Sequence, residues 1–176
     1  MFKLITKTIA TVAIVSVALF GSANAKTLKI ETHFTASSPN GEVAAQFAKN
    51  VEMFSGGSLK VQMFYSSSVT GKSAEVFNSA QTGIIDCDMT GAGYQTGKNA
   101  AFQFAGDVMG GYDNPYQQYD FLKFPGAQDA VDALYNKYGM TLIGWWIPGH
   151  ESLISSKPIP DVPSIKDFKF RSPPGM

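Results

Sequence analysis

Residues 59–90 read LKVQMFYSSSVTGKSAEVFNSAQTGIIDCDMT, and the order of patterns inside them decides the fold. Residues 59–65 alternate apolar and polar side chains, as a half-buried strand does. Ser66-Ser67-Ser68 opens a loop, and a helix over 73–82 places Val76 and Ala80 on its inward side before Gly83 stops it. Residues 84–90 form an apolar run bounded by turn residues, the mark of a buried strand. Two strands joined through a helix pair in parallel, and the crossover between them is right-handed.

The same alternation extends upstream. Residues 28–34 (LKIETHF) predict a first strand, and Ser38-Pro39 an N-cap followed by proline in the first turn. Val43, Phe47 and Val51, with Ala44 and Ala48, make one helical face that runs to about residue 53, where Ser55-Gly56-Gly57 ends it. A βαβαβ order implies an α/β fold with helices on both faces of a parallel sheet. Downstream, residues 91–115 read as a long loop rich in glycine and aromatic residues. Two helices are expected at 116–123 and 127–138, with Gly139 ending the second. A buried strand is expected at 140–147 (MTLIGWWI), and short strands at 151–155 and 169–172.

The N-terminus reads as a secretory signal peptide over residues 1–25. Lys3 and Lys7 precede an apolar run at 8–20, and Ala23-Asn24-Ala25 is a small-residue cleavage site. That run is too short to span a bilayer, which needs about 20 residues. Removing the two lysines leaves 12 basic against 14 acidic residues, a net charge of −2 with no basic cluster, so nucleic acid is not an expected partner. A hydrophobic content of 44% excludes a disordered chain. Cys87 is the one cysteine, so no internal disulfide supports the core, and its place in a buried strand reads as packing.

Signals for catalysis are weak. There is no G-x-S-x-G elbow, and His33 and His150 have no evident nucleophile beside them. Thr70-Gly71-Lys72-Ser73 resembles the end of a phosphate loop, but Ser66 stands where its first glycine is required. Asp86 and Asp88 flank a buried strand and read as structural. The chain is not expected to be an enzyme.

One residue stands out by rarity. Arg171 is the single arginine against 13 lysines, in KFRSPPGM at 169–176. Its planar fork grips a carboxylate through two parallel hydrogen bonds, which an ammonium cannot do.

The stretch at 156–175, SKPIPDVPSIKDFKFRSPPG, resembles a segment of the periplasmic solute-binding proteins of tripartite ATP-independent periplasmic (TRAP) transporters. Residues 28–41 and 55–94 are similar to that family's opening lobe, and Gly83 with Asp86 matches its "G-x-i-D" element. The resemblance implies a periplasmic-binding-protein-like, two-lobed clamp, with lobe one at 26–147 and a crossover into lobe two at 148–176. Members are considerably longer than this chain, so an N-terminal fragment is expected. It also implies capture of a small organic acid in the periplasm for delivery to TRAP membrane permease subunits. Arg171 would hold the carboxylate. Loops at the C-terminal strand ends, where α/β sheets place ligands, nominate His33 and Tyr94. A structural or rim role is the competing reading for His33, packing under its loop that for Tyr94, and Gly91-Ala92-Gly93 reads as either a cradle or a tight turn.

Trp145 and Trp146 are expected on opposite sides of their strand, with Trp146 the candidate for the cleft. Glu151 stands where the sialic-acid-binding branch carries a second arginine, which favours a small monocarboxylate, or an acid that also carries an amine, over a long sugar acid. The R-x-P-P-G form resembles the branch associated with 2-oxo acids, some of whose members hold ligand through a metal ion. No cofactor is expected otherwise, and a ligand-bridging ion stays open. A ligand-sensing ectodomain or an ABC-type binding protein would share the two-lobed logic, although the arginine motif disfavours the latter.

Overall fold

The computed structural model describes residues 25–106, 108, 110–147 and 152–172, so all but the last residue of the expected signal peptide lies outside the described residues. Three strands form the sheet: β1 (Lys26–Thr32), β2 (Leu59–Phe64) and β3 (Cys87–Met89). Their order is β2-β1-β3 and both pairings are parallel. The first strand in sequence is therefore central, and Ile30 pairs with Met63 on one side and Cys87 on the other.

Helix α1 (Pro39–Phe54) joins β1 to β2. Ser38 caps it by accepting the Gly41 amide at 3.1 Å, and Pro39 occupies the first turn, where its missing N–H costs nothing. Gly56 and Gly57 leave the helix at positive φ, 61° and 82°, which glycine adopts without a Cβ penalty. The seat on the sheet is narrower than the expected face: Ala44 is fully buried, Phe47, Ala48 and Val51 are half-buried, and Val43 is exposed. Glu52 near the helix end accepts the Val61 amide of β2 at 2.9 Å, tying the two elements.

The second crossover begins with a 3₁₀ turn (Ser73–Glu75) and continues as α2 (Val76–Gln81). Val76 and Phe77 are buried, and Gly83 ends the helix at φ 77°. The third strand is shorter than 84–90. The amides of Ile84 and Ile85 both donate to the Ser79 carbonyl, so this pair closes the helix instead of joining the ladder. Ile85 is buried in that turn while Ile84 is exposed.

Beyond β3 the expected loop contains two 3₁₀ segments, Ala92–Gln95 and Ala100–Ala105. Helices α3 (Pro115–Lys123) and α4 (Pro125–Asn136) follow, with Phe124 between them as the end of one and the start of the other. Phe77, Phe102, Tyr135 and Tyr138 form a ring cluster with centroids 5.2–6.1 Å apart, mixing edge-to-face and tilted contacts. Each such pair adds about 0.5–1.5 kcal/mol to the burial of the rings. This cluster, with Ala92, Ala105, Val131 and Leu134, is the hydrophobic core.

Residues 140–147 do not form the expected strand, and no strand forms within 152–155 or over 169–172. Met140, Leu142 and Trp145 pack against the core, while Ile143 is 74% exposed. The apolar run therefore marks partial side-chain burial, but a strand also needs a neighbouring backbone, and none among the described residues pairs with this one.

Candidate functional site

The strand order fixes where a cleft can form. From β1 the chain steps outward to β2, then returns past β1 to β3 on the other side. Right-handed crossovers taken in opposite directions put α1 and α2 on opposite faces. The crevice between β1 and β3, at their C-terminal ends, is the point where the winding reverses and where open α/β sheets hold ligands.

The loops leaving those two strands carry His33 and Tyr94, and their rings meet edge to face at 5.3 Å between centroids. Phe34 lies beside His33 at 3.9 Å and reaches Trp146 at 5.9 Å. His33, Tyr94 and Trp146 are thus joined in one aromatic row, with Phe34 as the bridge. The two tryptophans part company: Trp145 packs on the core and Trp146 on the row.

The backbone under the row is held firmly. Phe34 donates its amide to Thr32 Oγ1 at 3.3 Å, and its carbonyl accepts the Ser66 amide at 2.9 Å. Thr32 accepts the Ser67 amide at 3.1 Å, so the loop after β2 is laced to the loop after β1. Ser66 and Ser67 adopt positive φ, 58° and 51°, to make this approach. Helix α1 starts close against the same loop: a Cβ on Gly41 would collide with the Thr35 carbonyl.

His33 is a neutral imidazole at pH 7, since burial pushes its pKa below the ordinary value. Its Nδ1 is buried without a hydrogen-bond partner. Below the row, Glu31 is 0% exposed, and its Oε1 accepts the amides of Val69 at 2.6 Å and Thr70 at 3.4 Å. Its register partner across the ladder is Asp88. Burial pushes the Asp88 carboxyl up to about 6, against the hydrogen bonds from Thr90 and with the Glu31 charge adding to the rise. Although the residue as a whole keeps some contact with solvent, its carboxylate is enclosed. Cys87 keeps an inert thiol, its pKa raised by burial and then by Asp86 and Asp88.

Arg171 lies in exposed coil, and among the described residues no hydrogen bond, ion pair or ring contact joins it to the aromatic row. Glu151 falls outside the described residues. Gly91 to Gly93 lead into the 3₁₀ segment that carries Tyr94. The sequence alone does not single out Phe34 or Glu31. Phe34 follows His33 directly and shares its strand end, and Glu31 is an acid in the middle of an alternating strand, which is the signal it offered. Among the described residues no three His, Cys, Asp or Glu side chains gather as metal ligands.

An open parallel sheet with its reversal point dressed by aromatic residues defines the first lobe of a periplasmic-binding-protein-like α/β fold. Residues 30–175 match the family described as bacterial extracellular solute-binding protein, family 7 (DctP), and the chain belongs to it. Solved structures agree in fold. A TRAP periplasmic solute-binding protein from Rhodobacter sphaeroides, in an apo open form, is 25% identical with a TM-score of 0.62, over 67% of this chain and 37% of that one. One from Bordetella bronchiseptica RB50, with copurified calcium and picolinate, is 21% identical at TM-score 0.59, over 65% and 34%. One from Pseudoalteromonas atlantica T6c, with bound sodium and pyruvate, is 19% identical at TM-score 0.60, over 65% and 35%. The matched region thus spans little more than a third of those proteins' length. No curated protein matches the chain.

Proposed function

We propose that the chain is the opening part of an extracytoplasmic solute receptor of a TRAP transporter. It captures a small organic acid, a monocarboxylate such as a 2-oxo acid, and passes it to membrane permease subunits driven by an ion gradient. The observation that carries this reading is the meeting of His33 and Tyr94 where the winding reverses. Family membership supports it. So do the small carboxylates, pyruvate and picolinate, held by two of the structural neighbours. No bond is made or broken, and the chain is not an enzyme.

In this reading residues 1–25 direct export and are cleaved after Ala25, releasing the protein into the periplasm. No helix among the described residues is long and apolar enough to cross a membrane. Residues 26–147 are lobe one, and 148–176 cross into lobe two. Lobe one supplies apolar walls and a neutral imidazole, and no lysine or arginine among the described residues contacts the row. A carboxylate moved out of water needs a charged, hydrogen-bonding partner. Arg171, exposed and unpaired among the described residues, meets that need when the lobes close about the crossover. Glu151 borders the ligand and disfavours a second acidic group.

Calorimetry of the complete gene product against a panel of small carboxylates, including pyruvate and picolinate, tests the reading. At least one monocarboxylate binds, Tyr94→Ala weakens it, and Arg171→Lys weakens it by about 1–3 kcal/mol, the range for a charge-assisted hydrogen bond. A panel without a single binder would overturn the reading. Unchanged affinity in Arg171→Lys would remove that residue from the site.

A further inference from the structure

Among the described residues the one buried carboxylate oxygen without a hydrogen-bond partner is Glu31 Oε2, in a residue that is 0% exposed. Leaving a carboxylate oxygen in that state is costly unless something donates to it. The other oxygen, Oε1, already takes two backbone amides, from Val69 and Thr70. No ion pair among the described residues involves Glu31 or Asp88, since Lys60–Glu52 is the only ion pair there.

The ladder supplies the missing group. Glu31 and Asp88 are register partners on parallel strands, so their side chains leave the sheet on the same side and stand next to each other. The Thr90 hydroxyl donates to Asp88 Oδ1 at 2.7 Å, and the Thr90 backbone also hydrogen-bonds the same carboxyl. Two carboxylates so placed cannot both ionise without mutual repulsion in a desolvated site.

We propose that Glu31 and Asp88 share one proton, with Asp88 donating from its carboxyl to Glu31 Oε2, and that this pair positions the cleft. The path to the cleft is short. Glu31 holds the loop after β2 through Val69 and Thr70, and that loop holds the Phe34 and Thr32 carbonyls through Ser66 and Ser67. Phe34 in turn bridges His33 and Trp146. Glu31 and Asp88 are positioning residues, acting through the loop and not on the ligand. When the pair loses its proton, two like charges face each other and the loop loosens.

The titratable groups around the pair are consistent with this proton. Burial, with the Glu31 charge adding, raises the Asp88 carboxyl to about 6. From α4, Tyr135 has its phenol raised by burial and then by the Asp88 charge, so it stays protonated throughout. The flanking Cys87 thiol is also held protonated. His33, just beyond the end of β1, titrates in the opposite sense, and His33→Phe separates its contribution.

Melting of the full chain across pH 4 to 8 tests the proposal. Asp88 binds its proton more tightly folded than unfolded, so it stabilises at low pH, and that stability is lost as pH rises from about 4 to about 6. Asp88→Asn puts a permanent donor on Oε2, and Glu31→Gln puts one opposite Asp88. Asp88→Asn is expected to remove this downward component relative to the parent chain and Glu31→Gln to reduce it, since the burial of Asp88 remains, and both are expected to melt above the parent at pH 7.5. Asp88→Ala, which offers no donor, is expected to melt below Asp88→Asn at every pH. The proposal is overturned if both amide variants keep the parent's profile, or if Asp88→Asn and Asp88→Ala melt alike. Should either amide variant fail to fold, hydrogen exchange in the parent decides. Protection of the Val69 and Thr70 amides, corrected for intrinsic rate, falls as pH passes about 6. Constant protection from pH 5 to 7.5 overturns the proposal equally.

Discussion

Asp86 grips Lys29 twice: its amide donates to the Lys29 carbonyl at 2.8 Å, and its Oδ2 accepts the Lys29 amide at 2.8 Å. The second bond replaces a ladder contact that the short third strand does not reach, and it docks the start of β3 on the central strand. The acid of the "G-x-i-D" element thus has a structural job. Asp86→Ala leaves the Lys29 amide to partly exposed surroundings, so a loss of about 1–2 kcal/mol is expected from denaturant unfolding. Asp86→Asn keeps the acceptor and should lose less. Equal losses in the two variants would show that the oxygen is not what matters.

Gly41 is required by close approach and not by backbone conformation. It lies in the first turn of α1, where its added Cβ would run into the Thr35 carbonyl, with the Ala36 carbonyl also near at 2.9 Å. Both obstacles are backbone and cannot swing away. Gly41→Ala is therefore expected to destabilise by about 1–3 kcal/mol, the cost of overpacking, despite alanine's better helix propensity. A melting temperature at or above the parent's would refute the clash.

Phe102 and Phe104 are two residues apart and should differ sharply. Phe102 is fully buried among Phe77, Tyr135 and Tyr138, whereas Phe104 is 65% exposed. Phe102→Ala is expected to cost about 3–5 kcal/mol. Phe104→Ala should stay within about 0.5 kcal/mol of the parent. Chemical denaturation of both settles whether the ring cluster is the centre of stability.

His33 carries a pH dependence of its own. Burial lowers its folded pKa below the unfolded value of about 6.5, so the folded state binds fewer protons than the unfolded one just below that pH. This contribution is present above pH 6.5 and is lost as pH falls through the folded pKa. Replacing the imidazole by a ring that does not titrate, in His33→Phe, is expected to remove this acid-side loss. A melting curve recorded at pH 5 and pH 7.5 for both chains provides the check, and an identical shift in the two would place the titration elsewhere.

The residues that were readable in advance carry their instructions locally. Ser38 and Pro39 specify a helix start, Gly56 and Gly57 an exit, and the alternation at 28–34 and 59–65 two strands, because capping and face periodicity depend on near neighbours. The misreadings fall where the deciding partner is distant. Ile84 and Ile85 are apolar enough for a strand, but the Ser79 carbonyl captures both amides. The segment at 140–147 is apolar enough for a buried strand, yet a ladder needs a second backbone. The contact of His33 with Tyr94 followed from topology, since both end strands that flank the reversal. The pairing of Glu31 with Asp88 did not, because it depends on a register that no single strand contains.

The central position of β1 sets an order of assembly. Lys26 meets Leu59 across 33 residues of chain, whereas Ile30 meets Cys87 across 57. Closing the longer loop costs about 0.5 kcal/mol more in chain entropy, and its strand is the last of the three to be synthesised. The β1–β2 ribbon is therefore expected to form first and β3 to join it afterwards. The aromatic crevice at that second seam comes into being only when the sheet is finished.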